Sequence, residues 1–282
     1  AAESQLSGFI QQIVVPPDLI TAICESEVNE AYLAYVVELN KKVSFAKQES
    51  TAMTSACADM APELEKLRSK SVQKIRDFLL QRVASLKKKM TNIQILQQSV
   101  LLKYKGLYQF LLEHAPNVAA EVKESYTTTM SAIYLRHVKG YLTELMRAKL
   151  EPATKSDLLG TEEWAMSGSA GLLGGAAALF SAKPATARGD KAYKLGERIG
   201  VLEQVSEPPL IPAVLQQQAS EGVHYEAVFR SFASLLMDTA GCEHSFMSEF
   251  FGEVDAFDQV FGKAIFHCME NLEQHLIASW DA

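Results

Sequence analysis

Tyr32, Val36, Leu39, Val43 and Ala46 recur at spacings of 4, 3, 4 and 3, with Glu38, Lys41, Lys42 and Lys47 beside them. This is an apolar heptad seam with charged flanks. It covers only about two and a half heptads, too few to hold a coiled coil unaided, so it predicts a partner helix. Before it, the apolar run Phe9–Val15 is stopped by Pro16-Pro17, and Asp18 is placed to cap a short helical turn through Ile23.

Further helices emerge from the same periodicity. One starts near Thr54 or Asp59 with Pro62 in its first turn, where a missing N–H costs nothing. Its stripe is Leu64, Val72, Ile75, Leu79, Val83 and Leu86, and it ends in Lys87-Lys88-Lys89. A third is capped by Thr91 or Asn92 and runs to His114. It carries Leu101, Lys103/Tyr104, Tyr108 and Leu111/Leu112 on one face. Ala115-Pro116-Asn117 breaks it, and a fourth runs from Val118 to Leu150 with Val122, Tyr126, Met130, Ile133, His137, Tyr141 and Leu145 as its stripe. His137 reads there as a hydrogen-bonded core histidine.

Between 151 and 212 the pattern fades. Met166–Asp190 is rich in Gly, Ala and Ser with no period that could bury a face, which reads as a flexible connector. Two islands, Tyr193–Gly196 and Pro208–Pro212, are suited to dock as extended segments. Helical periodicity returns near Tyr225, with one stripe at Tyr225, Phe229, Phe232 and Leu236 and another at Phe246, Phe250, Phe257, Phe261 and Ile265. So much apolar surface must pack on something. The chain stops at Asp281-Ala282 without a closing element, so it is expected to be truncated or to find its neighbours in other chains.

These elements predict an all-α, elongated helical bundle or rod with a short coiled-coil seam and a flexible linker. The expected division is an N-terminal extension 1–28, a helical array 29–150, a linker 151–212, and the start of a second bundle at 213–282. Scarce turn residues, 15 Gly and 9 Pro in 282 residues, argue against a β-sandwich. There is no stretch of about 20 apolar residues for a membrane span and no secretory leader pattern. Four scattered cysteines suit a cytosolic chain with reduced thiols.

The net charge of −7 hides an asymmetry: Leu64–Lys105 holds eleven Lys/Arg and two acids (+9), Ala213–Ala282 two Lys/Arg and eleven acids (−9). Fields of opposite sign suit docking, within the molecule or to partners; solvated helix faces are the plainer alternative. Lys87, Lys88 and Lys89 sit where positive charge favours a helix C-terminus, and they are also candidates to contact an acidic protein or an anionic lipid surface. Nucleic acid is excluded as a partner, because the chain is acidic overall and carries no nucleic-acid-binding signature.

Candidate chemistry is thin. Cys242-Glu243-His244 with His267-Cys268 offers two thiols and two imidazoles, but adjacent helical residues diverge and the spacing is a poor match to a zinc site. Gly168–Gly175 lacks the Lys-Ser/Thr of a phosphate loop and no strand precedes it. No catalytic, cofactor-binding or metal-binding residue is nominated. The candidate assembly residues are Tyr32, Val36, Leu39 and Val43, as a seam that zips with heptads of other subunits.

Several ordered stretches carry a resemblance: Ile13–Pro16, Glu38–Asn40, Ala56–Asp59, Lys74–Arg76, Met90–Leu112, Ile133–Leu135, Tyr141-Leu142, Phe229–Ser231 and Glu249–Phe251. In this order they resemble the Vps-fifty-two family, found in the Golgi-associated retrograde protein (GARP) tethering complex and its endosomal sister, EARP. The resemblance implies a non-enzymatic, cofactor-free subunit of a helical-rod tether in endosome-to-trans-Golgi retrograde transport and endosomal recycling. Implied partners are Vps fifty-one, fifty-three and fifty-four or syndetin, SNAREs and a Golgi small GTPase, with the protein peripheral on trans-Golgi and endosome membranes. A cytoskeletal or adaptor scaffold, or a helical enzyme with a spatially assembled site, are the alternatives from the residues alone.

Overall fold

The computed structural model describes residues 14–47, 55–88, 92–147, 150–151, 200–217 and 223–280. Helices dominate them, so the fold is all-α. The linker's Tyr193–Gly196 island and its Gly/Ala-rich run, with Gly168–Gly175, fall outside the described residues, as does Lys89.

The helices are α1 (Pro17–Glu25), α2 (Glu30–Lys47), α3 (Ser55–Ser85), α4 (Ile93–Leu96), α5 (Lys105–His114) and α6 (Pro116–Met146), then α7 (Gly200–Glu203), α8 (Pro212–Gln217), α9 (Tyr225–Phe250) and α10 (Phe257–Trp280). Two-residue strands β1 (Leu150–Glu151) and β2 (Val223–His224) pair in parallel, Leu150 opposite Val223. The chain divides into two compact units. The first is Ala1–Arg136 with Thr239–Ala264, the second His137–Asp238 with Ile265–Ala282.

In the first unit α1, α2 and α3 pack on one another, and α5 packs on both α2 and α3. Pro17 opens α1 behind Pro16 with no side-chain cap. Asp18 therefore lies in the first turn rather than capping it, because proline's fixed φ already suits the first helical position. Asn29 caps α2 by accepting from the Tyr32 N–H at 3.0 Å. Lys74 on α3 reaches the far end of α1, where its Nζ donates to the Ile23 carbonyl (3.0 Å) and to that of Ser26. It also stands 5.0 Å above the Tyr32 ring. A cation on the free carbonyls of a helix C-terminus satisfies groups that the helix itself cannot.

Pro62 lies inside α3, not in its first turn. The helix begins at Ser55, next to the earlier of the two expected starts, so Pro62 falls past the first turn; α3 continues through the one hydrogen bond that proline lacks. The break at Ala115-Pro116 is as sharp as the sequence predicts, since α5 ends at His114 and α6 starts at Pro116.

The rest of the first unit is an aromatic cluster. The Tyr126 ring lies tilted against Phe246 at 5.3 Å and against Phe251 at 5.2 Å. Tyr134 stacks on Phe261 at 4.7 Å, and Tyr108 meets Phe251 edge-on at 5.0 Å. The phenylalanines of 246–261 thus complete the core of the first unit rather than starting a separate bundle, which departs from the linear division at 29–150 and 213–282. Gly252, at φ 79°, makes the turn between α9 and α10.

In the second unit Val138, Leu142, Leu145, Val228 and Phe232 are buried. His137 is exposed, not a core residue: the buried line there is Tyr134, Val138 and Leu142, one position off the predicted stripe. The end of the predicted linker is also structured. Gly200–Glu203 is helical. Of the Pro208–Pro212 island, the stretch 208–211 has no regular secondary structure and docks through Leu210, which bonds to Tyr141 and Ser231, while Pro212 opens α8.

Candidate functional site

Tyr32, Val36, Leu39 and Val43 are all buried, between 0 and 4% exposed. Their partner helices are α1, α3 and α5 of the same chain. The seam does find the companions its pattern requires, but as an internal core. It offers no free heptad to another subunit, which corrects the assembly role assigned to it. A stripe of apolar residues states that a face is covered; it carries no information on which chain covers it.

Lys87 and Lys88 are exposed, just past α3. The Lys87 N–H donates to the Ala84 carbonyl and that of Lys88 to the Ser85 carbonyl, at 3.2 Å each, which tightens the last turn. The ammonium groups are thus presented on an ordered helix end.

The most specific chemistry lies in the first unit, where four polar side chains meet inside the aromatic cluster. Glu243 is fully buried on α9. Its Oε1 accepts from the Tyr126 hydroxyl at 2.6 Å, and its Oε2 accepts from the Tyr134 hydroxyl and from Gln97 Nε2, both at 2.7 Å. Gln97 Nε2 also donates to the Tyr126 oxygen at 2.7 Å. Burial pushes the Glu243 carboxyl above its ordinary range, and the three hydrogen bonds pull it back. Both tyrosines are pushed well up, first by burial and then by the adjacent Glu243 charge.

Local backbone aims these groups. Asn92 caps α4 by accepting from the Ile95 N–H at 3.1 Å, as its position predicts. The helix then does not continue as a uniform α-helix. Gln97–Leu101 is a π-helical turn and Leu102–Tyr104 a 3₁₀ turn before α5 resumes. A π-turn inserts a residue and rotates the helix downstream of it. Gln97, the first residue of the turn, is buried, and downstream of it Leu107 and Phe110 join Tyr108 and Leu111 in the core, while Leu112 is left 47% exposed. On α6, Tyr126 and Tyr134 are two turns apart on one face, and on α9 Glu243 stands one turn before Phe246 and Met247, both buried.

The knot cannot serve a reaction with solvent-borne substrate, since all four groups are enclosed and mutually bonded. It can fix register: this placement of α6, α9 and the π-turn pairs the four side chains, and a shift of any one would leave buried polar groups unpaired. The spacing of residues did not reveal it. Its available signal was a carboxylate on the apolar stripe of α9, one turn from Phe246. Cys242 and His244, the flanking zinc candidates, both face outward. Among the described residues no group of three or more His, Cys, Asp or Glu could hold a metal ion, and no helix is long and apolar enough to cross a membrane.

Residues 1–111 match the family model described as Vps52/Sac2 family, coiled-coil, and residues 128–282 match that described as Vps52, C-terminal. The chain belongs to the Vps52 family. Among similar Vps52 proteins, vacuolar protein sorting-associated protein 52 A of Arabidopsis thaliana is 39% identical over 262 residues, 92% of this chain and 35% of the relative. The protein 52 homolog of Homo sapiens is 34% identical over 290 residues, covering 100% of this chain and 38% of the relative. That of Caenorhabditis elegans is 29% identical over 286 residues, 99% of this chain and 40% of the relative. The chain therefore spans little more than a third of the length of these Vps52 relatives. No solved structure matches it. The knot joins the two Vps52 segments: Gln97 lies in the coiled-coil match and Tyr134 and Glu243 in the C-terminal one.

Proposed function

We propose that this chain is part of a non-enzymatic subunit of a multisubunit vesicle-tethering complex of the GARP and EARP type. It acts in endosome-to-trans-Golgi retrograde transport and endosomal recycling, peripherally on those membranes. Its companions are Vps fifty-one, fifty-three and fifty-four or syndetin, with SNAREs and a Golgi small GTPase as further partners. The observation that carries this reading is the pair of Vps52 matches, which together take in almost the whole sequence. An enclosed polar knot that sets helix register is consistent with a scaffold and gives no support to a catalytic role.

The test is affinity purification of the tagged full-length protein followed by mass spectrometry. The tethering subunits should co-purify in stoichiometric amounts. A folded, expressed protein that recovers none of them would remove the reading.

We propose that Lys87 and Lys88, exposed at the end of α3, meet an acidic surface together with Lys89, the next residue in sequence, with about 1 kcal/mol per charge available near anionic lipid. In flotation with anionic liposomes, a triple Gln variant should bind less than the unsubstituted chain. Equal flotation would take the lipid contact out of the proposal.

A further inference from the structure

Within the second unit, Gln204–Glu207 form a turn closed by the Glu207 N–H donating to the Gln204 carbonyl at 3.0 Å, and 208–211 follow without regular secondary structure; α6 and α9 hold this strap in good part by its main chain. The Tyr141 hydroxyl donates to the Leu210 carbonyl at 2.8 Å. The Leu210 N–H donates to Ser231 Oγ at 3.1 Å. Ser231 is itself oriented by its 2.8 Å bond to the Ala227 carbonyl and is buried. One turn face further, Arg230 donates to the Gln204 carbonyl and pairs with the Glu207 carboxylate at 3.6 Å. Of the strap's apolar side chains, Val205 is 60% and Ile211 62% exposed, while Pro209 and Leu210 are half-buried.

A surface that reads the N–H and C=O of one residue, plus one carboxylate, selects a backbone form more than a particular sequence. Pro208 and Pro209 preset that form by fixing φ and by disfavouring helix in the residue before them, so little entropy is lost on docking. Nothing in these contacts requires that the docked segment belong to this chain.

We propose that the α6–α9 face formed by Tyr141, Arg230 and Ser231 is a binding site for an acidic, proline-containing peptide of a partner protein, entering as a turn followed by its prolines. The segment Gln204–Ile211 occupies that site as an internal surrogate. Being tethered, it competes at an effective concentration on the order of millimolar. A free ligand gains access where the strap is weakened or the ligand itself is held nearby by other contacts.

The probe is a fluorescein-labelled synthetic peptide of residues 203–213, titrated with the full chain and followed by anisotropy. A variant with a weakened strap, Glu207→Ala with Pro208→Ser and Pro209→Ser, should bind the peptide roughly tenfold or more tightly than the unsubstituted chain, as removal of a tethered competitor requires. Adding Ser231→Val should abolish the gain. A peptide carrying Gln for the glutamate and Gly for the first two prolines of its Glu-Pro-Pro run should bind severalfold less. Equal binding by the two chains, a gain that survives Ser231→Val, or equal binding of both peptides overturns the proposal. A second measurement needs no variant. Saturating peptide should accelerate hydrogen exchange at the Leu210 amide of the unsubstituted chain, because a displaced strap loses its bond to Ser231. Unchanged exchange at that amide overturns the proposal as well.

Discussion

Gln97 donates its side-chain amide to Glu243 at 2.7 Å although 146 positions separate them in sequence. The bond closes a set in which Tyr126 and Tyr134 supply the other donors. A buried carboxylate with three donors is tolerated because each hydrogen bond favours the charged form against the cost of burial.

Removing the acceptor should therefore cost more than removing one donor. Glu243→Ala leaves two hydroxyls and an amide enclosed without their acceptor, at about 1–3 kcal/mol for each unsatisfied group. The expected total loss is about 3 kcal/mol or more, against about 1 kcal/mol for Tyr134→Phe. Urea denaturation of the purified chain measures both, and the reverse ranking would contradict the geometry.

The same carboxylate sets a pH dependence. Its folded value lies above its ordinary 4.5, so the folded state holds the proton more tightly than the unfolded chain. Its contribution is fully present below 4.5 and is lost as pH rises through the folded value. Glu65, Glu121 and Asp255 are shifted down by their partners Arg68, Arg76 and Lys123. Their contributions are present above the ordinary carboxylate range and are lost as pH falls below it. Thermal melts across about pH 2 to 7 should show a decline on the high side in the unsubstituted chain and not in Glu243→Gln. The acid-side loss should be shared by both.

Leu39 tests the internal seam. It is fully buried among helices of its own chain, so Leu39→Ala should destabilise the isolated protein by about 2–5 kcal/mol through lost burial and the cavity left behind. Differential scanning calorimetry without any partner present is the measurement. A melt equal to that of the unsubstituted chain would mean that Leu39 is covered only in a complex.

Two glycines should respond with opposite signs. Gly252 sits at φ 79°, and a Cβ there meets nothing within 4 Å, so Gly252→Ala should cost about 1–2 kcal/mol from backbone conformation alone. Gly140 lies inside α6 with the same open space around it. Gly140→Ala should stabilise by about 0.5–1 kcal/mol, because alanine restricts the unfolded chain and favours helix. Chemical denaturation of the two variants side by side decides the sign of each.

The helices and several of their punctuation marks were legible in the residues. Asn92 caps where its side chain can reach the Ile95 N–H, and Pro116 ends one helix and begins another. Those are local effects, decided within a turn or two. Pro62 and His137 misled for a related reason. Each was assigned from its own position in a pattern: α3 already runs from Ser55 before it reaches Pro62, and packing turned His137 to the surface. The Pro208–Pro212 island could be recognised as a docking segment, but not the Tyr141 and Ser231 that receive it.

What the sequence by itself determined is that this protein is helical and which faces of its helices must be covered, because periodicity in apolar residues is a local property of a repeating backbone. Only the tertiary structure decided what covers them: α1, α3 and α5 on the α2 seam, and the aromatic residues of 246–261 on Tyr108, Tyr126 and Tyr134. It alone placed Gln97, at the start of the π-turn, against Glu243. Pairings across more than a hundred residues are chosen by shape and by the need to satisfy every enclosed polar group, and neither is written in the spacing of any one segment.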